Sequence, residues 1–164
     1  MRAPVALLLL GLGACAIPTS PEGPGVESPR GWFRFVDVDY GPPTPEHGVL
    51  AERRWTELTE CLGLRHTPSG FPIRLRRASA GGGWIDNGRL VGGVYHGNSI
   101  EVLGDPTQVQ SWKHEMMHYL LDVREGNPDD SHARGGLVVY GTASDGRPLS
   151  QGADWLRCTT RDGR

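Results

Sequence analysis

The sequence lacks a charge bias, a long hydrophobic run and a large number of cysteines. Its 17 Lys and Arg residues against 19 Asp and Glu residues leave a net charge of −2. Without a basic surplus there is little to attract nucleic acid, and we expect no nucleic-acid partner. The apolar stretch Ala3–Leu12 is too short to span a bilayer, which needs about 20 residues. The 164 residues suffice for one domain with its own core, which we expect to be a monomer.

The N-terminal residues have the pattern of an export signal. Arg2 precedes the apolar stretch, which ends in the small residues before Cys15. The segment Leu12-Gly13-Ala14-Cys15 resembles a bacterial lipobox, which implies that residues 1–14 are a cleaved signal peptide and that Cys15 carries lipid. An ordinary signal peptide is the alternative. The prolines of residues 15–31 favour a flexible linker to the membrane, so we expect an extracytoplasmic lipoprotein, and Ala16 after the lipidated cysteine favours the outer membrane.

The three cysteines leave one over after any single pairing. If Cys15 carries lipid, Cys61 and Cys158 remain, and an oxidising compartment would let them form a disulfide. Two free thiols are the alternative.

The pattern of apolar residues predicts an α+β domain over residues 32–164, with an antiparallel or mixed sheet packed against two helices. Thr44 and Gly63 bound the first helix as its caps, and Pro106 and Glu125 bound the second, which Gly126 ends. Alternating apolar residues predict four strands, the last two joined as a hairpin: Trp32–Tyr40, Phe71–Arg77, Leu90–Tyr95 and Ser99–Leu103.

The second helix carries the motif His114-Glu115-Met116-Met117-His118. A helix advances about 100° per residue, so His114 and His118 lie about 40° apart on one face and can share a metal ion. Apolar side chains are predicted on the opposite side of the helix: Val109, Trp112, Met116, Leu120 and Val123. A solvated helix that holds two histidines by coincidence is the alternative.

This arrangement suits hydrolysis with zinc. A catalytic zinc ion takes three protein ligands and leaves one position for water, whose pKa it lowers to about 7. Glu115 is placed to reach that water without binding the ion, and to act as a general base.

The motif resembles that of the zincin metallopeptidases, over the helix and about twenty residues beyond it. The resemblance implies His114 and His118 as zinc ligands, Glu115 as the general base and a peptide or protein substrate. It also implies an antiparallel edge strand that pairs with the substrate, and Ser99–Leu103 is the candidate.

The third ligand is predicted by comparing the residues after His118 with the known zincin patterns. The metzincin pattern is excluded because Leu121 and Arg124 stand where it has glycine and histidine. The thermolysin-like pattern fails because no glutamate follows Glu125. The next histidine, His132, is therefore the predicted ligand, in a layout similar to that of SprT-like metallopeptidases. Asp129 and Asp130 are the alternatives.

Further residues are candidates for supporting roles. Asp122 could orient a ligand histidine or be an ordinary solvated acid. Oxyanion stabilisation could come from Tyr95, Arg134 or Tyr140. The remaining histidines, His47, His66 and His96, are expected at the surface or in loops.

The sequence thus predicts a zinc-dependent peptidase anchored as a lipoprotein. Two alternatives stay open. One is a metal-binding lipoprotein without catalytic activity, and the other is an envelope-structural lipoprotein without a metal.

Overall fold

The computed structural model describes residues 25–105, 109–126, 128 and 158–159. They form two helices, α1 (Pro45–Leu62) and α2 (Val109–Glu125), and seven short strands. The strands are β1 (Val26–Glu27), β2 (Phe33–Asp37), β3 (Phe71–Arg76), β4 (Trp84–Asp86), β5 (Arg89–Val91), β6 (Gly93–Tyr95) and β7 (Ile100–Leu103). The α+β class expected from the sequence is confirmed.

Five strands form one mixed sheet in the order β1-β2-β3-β7-β6. The central pairs β2–β3 and β3–β7 are parallel, whereas the outer pairs β1–β2 and β6–β7 are antiparallel. The parallel pair β2–β3 is connected through α1, as parallel strands require a crossover. The predicted hairpin before α2 is confirmed as β6–β7.

The sheet corrects the prediction of the edge strand. Ser99–Leu103 is the predicted edge strand, but β7, which forms most of this segment, lies between β3 and β6 and is an inner strand. The edge strand beside β7 is β6, whose three residues are too few to stand out in the sequence. The predicted strand Leu90–Tyr95 is also divided, since Leu90 and Val91 belong to β5 in a separate two-stranded sheet with β4.

The predicted ends of α1 are confirmed. Thr44 is the N-cap, Pro45 is the first helical residue, and Gly63 ends the helix in the left-handed conformation, with φ 64°. For α2, Gly126 likewise has a positive φ of 64°, and its N–H donates to the Asp122 carbonyl. The start predicted at Pro106 lies outside the described residues.

Both helices pack on one face of the sheet. Alternate residues of β3 are buried there, since its burial alternates along all six positions. The helices bury Trp55, Leu58 and Leu62 from α1 and Trp112, Met116, Met117, Leu120 and Leu121 from α2. Val123, predicted among the packing residues of α2, is instead 48% exposed.

A disulfide joins Cys61, in the last turn of α1, to Cys158, as predicted. The two cysteines are separated by 97 residues in the chain. In the chain-entropy model, closing a loop of that length stabilises the fold by roughly 4.7 kcal/mol.

The predicted linker 15–31 is too long at its C-terminal end. Val26 and Glu27 pair with Phe35 and Arg34 of β2, and Ser28 is buried, with its Oγ accepting the Phe33 N–H. The linker residues 15–24 and the predicted signal peptide lie outside the described residues. Within the described part of the chain, no helix has the length and hydropathy to cross a membrane.

Candidate metal centre

Helix α2 brings the two motif histidines together. The Nε2 atoms of His114 and His118 lie 3.1 Å apart, and the ring centroids lie 4.8 Å apart. The helix is fixed beneath them by Trp112, which is buried and donates its Nε1–H to the Leu103 carbonyl at 2.9 Å. The one-turn spacing predicted from the sequence therefore produces convergent nitrogen atoms.

The orientation of His118 is fixed by a backbone carbonyl. Its Nδ1 lies 2.6 Å from the oxygen of Pro128. A carbonyl only accepts hydrogen bonds, so Nδ1 carries a proton, which leaves Nε2 as the nitrogen that can bind a metal ion on the side of His114. Ligand histidines in metal sites are held in this way by a partner on the other ring nitrogen.

The spacing of the two nitrogens fits a zinc ion. Two nitrogens about 2.0–2.1 Å from one tetrahedral zinc lie about 3.3 Å apart, close to the 3.1 Å observed. His118 is only 3% exposed, and the His114 side chain is 27% exposed, so the pair is open to solvent on one side. A pair of imidazole ligands suits zinc better than Ca²⁺ or Mg²⁺, which prefer oxygen ligands.

Glu115 completes a three-residue cluster. Its Oε1 lies 4.0 Å from Nε2 of His114, and the candidate ligand atoms of His114, Glu115 and His118 all lie within 4.8 Å of one another. The 4.0 Å separation exceeds the distance of about 3.3 Å between two ligands of one tetrahedral ion. A carboxylate at that distance suits contact with a water better than direct coordination.

Gly93 on the edge strand makes room for Glu115. A Cβ atom at residue 93 would lie 2.5 Å from Oε1 and 2.6 Å from Cγ of Glu115. Any side chain there would displace the glutamate. Glycine inside a strand is a sign of such a close approach.

Tyr95, also on β6, packs against the second histidine. Its ring stacks on His118 with centroids 6.4 Å apart, and its hydroxyl donates to Asp122 at 2.6 Å and lies 2.7 Å from the Gly97 carbonyl. Asp122 thus contacts Tyr95, while the partner of the His118 Nδ1 is Pro128. An orienting role of Asp122 stays a prediction, and its contact with Tyr95 is the route by which it would act on His118. The engagement of the hydroxyl with Asp122 disfavours Tyr95 as an oxyanion donor.

The cluster opens into a cleft of about 590 Å³. One wall is α2 with the three motif residues, and the floor is the edge strand β6. Another wall is the β4–β5 hairpin, which contributes Asp86, Asn87, Arg89 and Val91. The candidate metal site therefore lies in a solvent-accessible cleft bordered by a sheet edge.

The far side of α2 carries an ion pair between a buried lysine and a partly exposed glutamate. Lys113 is 1% exposed, and its Nζ lies 2.8 Å from Oε2 of Glu57 on α1, which also accepts a hydrogen bond from Arg54 at 2.8 Å. Burial raises the pKa of Glu57, but the hydrogen bonds and charges of Lys113 and Arg54 outweigh it and hold that pKa below 4.5. The pair connects the two helices behind the site.

The other histidines have structural contacts. His47, expected at the surface, is 5% exposed; its Nδ1 accepts the Thr44 N–H and its Nε2 donates to the Gly104 carbonyl, each at 3.0 Å. His66 contacts the Tyr119 hydroxyl at 3.0 Å, and burial lowers its pKa. His96 lies 3.6 Å from Glu101.

Several predicted site residues lie outside the described residues: Cys15, Asp129, Asp130, His132, Arg134 and Tyr140. The choice among His132, Asp129 and Asp130 as third ligand stays a prediction.

Sequence reasoning missed three contributors to this site. The Pro128 carbonyl could not be predicted from the sequence, because any residue supplies a carbonyl. Gly93 could have been noticed, since it stands beside Gly92 within an otherwise apolar strand pattern. Lys113 could also have been noticed, because it is a charged residue between the apolar positions of α2.

Comparisons of the chain with known protein families, with curated proteins and with solved structures find no match. What is inferred about its function therefore rests on the geometry of this cleft.

Proposed function

We propose that the protein is a zinc-dependent peptidase, with His114 and His118 as two of the zinc ligands. The observation that carries the proposal is the pair of imidazole nitrogens 3.1 Å apart beside the carboxylate of Glu115. The third ligand in this proposal is His132, with Asp129 and Asp130 as alternatives.

Zinc bound there would supply Lewis acidity to a water molecule and to a substrate carbonyl. Glu115 accepts the proton that the attacking water loses and returns it to the amine leaving group. Its side chain is 6% exposed, so little bulk water competes for the carboxylate. Gly93 keeps it at the cleft floor.

The edge strand supports a peptide as the substrate. β6 pairs with β7 on one side, and no other strand in the described part of the chain pairs with its outer edge. Its three residues line the same cleft as Glu115. An extended peptide can add to such an edge through main-chain hydrogen bonds, which would hold its carbonyl groups beside the histidines.

Placement outside the cytoplasm, as a lipoprotein on Cys15, is part of the proposal. The Cys61–Cys158 disulfide supports it, because such bonds persist in oxidising compartments. The test is the mass of the mature N-terminus; an unmodified Cys15 would refute the lipid anchor.

A second candidate function is a metal site without catalysis. It is favoured by the position of Glu115 within 4.8 Å of both histidine ligand atoms, from which a side-chain rotation would let it bind the ion. A glutamate that binds the metal leaves no general base in the cluster.

Cleavage of a broad peptide library by the zinc-loaded protein, compared with Glu115→Gln, separates the two candidates. The peptidase predicts cleavage by the natural protein and loss of at least about a hundredfold in Glu115→Gln with zinc retained. The non-catalytic site predicts no cleavage and weaker zinc binding in Glu115→Gln. Stoichiometric zinc with an untouched library would refute the peptidase.

A further inference from the structure

The β4–β5 hairpin presents two chemically different faces. Its register pairs Asp86 with Arg89 and Ile85 with Leu90. Paired residues share a face and successive pairs alternate, so the charged pair and the apolar pair point in opposite directions. The charged pair lines the metal cleft, whereas Ile85 and Leu90 are 65% and 54% exposed outside it.

The hairpin is attached to the rest of the fold at its base. Trp84, at its base, is 6% exposed, and the Arg76 guanidinium lies 5.5 Å from its ring centroid. The Ser79 N–H donates to the Gly83 carbonyl at 2.7 Å. At the tip, Asn87 and Gly88 both have positive φ, the conformation of a tight two-residue turn. The register and the tip turn therefore place Arg89 directly beside Asp86 on the face of the hairpin that lines the cleft.

Arg89 is a cation without a partner on this wall. No described residue forms an ion pair or a hydrogen bond with its side chain, although Asp86 is its direct cross-strand neighbour. The Asp86 carboxylate instead accepts a hydrogen bond from Asn87 at 3.1 Å. A planar guanidinium binds a carboxylate through two parallel hydrogen bonds, which makes that group its best-matched ligand.

We infer that Arg89 is a specificity-determining residue that binds a carboxylate of the peptide substrate in the cleft that the two histidines also line. This inference rests on the proposed peptidase function. The carboxylate is either an acidic side chain or the free C-terminus of the peptide, and the chemistry of recognition is the same. Asp86 repels a second carboxylate, so recognition is confined to the position of Arg89.

The test measures binding rather than turnover, in the zinc-loaded Glu115→Gln protein. Three fluorescent peptides of one length serve as probes: one with an acidic side chain and an amidated C-terminus, one neutral with a free C-terminus, and one neutral and amidated. Arg89→Gln should weaken binding of one carboxylate peptide by about tenfold and leave the fully neutral peptide unchanged. The peptide that responds identifies the source of the carboxylate. Arg89→Lys should recover only part of the loss.

Arg65→Gln is the matched control, because Arg65 is also exposed and does not line this cleft. The inference is overturned if Arg89→Gln weakens all three peptides equally, if it weakens none, or if no probe binds. Failure of the peptidase proposal has a different signature. In that case the natural protein cleaves no peptide, while binding of one carboxylate probe still depends on Arg89.

Discussion

Gly93 of β6 lies directly against the carboxylate of Glu115, so closely that a Cβ atom at residue 93 would be 2.5 Å from Oε1. Gly93→Ala should therefore displace Glu115 without changing His114 or His118. We expect peptide cleavage to fall by about tenfold to a hundredfold, because misplacing a catalytic group by about 1 Å costs up to that much. Zinc content should stay at the natural level.

Gly92→Ala is the control for this substitution. A Cβ at residue 92 would meet only the Ser111 side chain at 3.9 Å, an ordinary contact. Neither glycine has a positive φ, so backbone strain does not separate the two variants. Equal activity of Gly92→Ala and Gly93→Ala would contradict the role given to Glu115.

The Tyr95 hydroxyl should influence zinc affinity through His118. It donates to Asp122 at 2.6 Å and thereby fixes the ring stacked on His118. Loss of one such hydrogen bond costs about 1 kcal/mol, so Tyr95→Phe should weaken zinc binding by about fivefold in a chelator competition. Tyr119→Phe is the control, since it removes a hydroxyl that contacts His66 at 3.0 Å and not the zinc site. Equal affinities for the two variants would refute the effect.

The third ligand can be identified by three substitutions. We expect His132→Ala to weaken zinc binding by at least about a hundredfold, because an open zinc site depends on three protein ligands. Asp129→Ala and Asp130→Ala should change it little. If His132→Ala keeps its zinc and one aspartate variant loses it, that aspartate is the ligand.

The Glu57–Lys113 pair should stabilise the fold in a pH-dependent way. The folded pKa of Glu57 lies below 4.5, so the unfolded chain takes up its proton first as the pH falls. The contribution is present above pH 4.5 and is lost as the pH falls through the folded pKa. Because the Glu57 side chain is 24% exposed, we expect Glu57→Gln to cost only about 1–2 kcal/mol at pH 7.

Urea unfolding of the natural protein and of Glu57→Gln, at pH 7 and below pH 4, measures this contribution. The difference in unfolding free energy should shrink at the lower pH. A difference that is constant with pH would contradict the ionic origin of the stabilisation.

The helices and the convergence of the two motif histidines were predictable because their signals are local. Thr44 and Gly63 mark the ends of α1 by their own cap chemistry, and His114 and His118 converge because helix geometry fixes their angle. The Cys61–Cys158 disulfide was predictable because these are the two cysteines that remain if Cys15 carries lipid.

The edge strand was not predictable, because strand order depends on contacts between distant residues. β7 is buried at three of its four residues, a pattern that an inner strand and a covered edge strand share. Its parallel pairing with β3, such as Val102 with Leu75, has no signature in either segment. The burial of His47 was not predictable for the same reason, since its hydrogen-bond partner Gly104 is remote in the chain.

The zinc content of the purified protein, measured after removal of loosely bound metal, tests the central claim most directly. The natural protein should hold one zinc ion per chain, and folded His114→Ala and His118→Ala variants should hold almost none. A natural protein without zinc, or histidine variants that keep it, would contradict the metal site and the hydrolysis proposed from it.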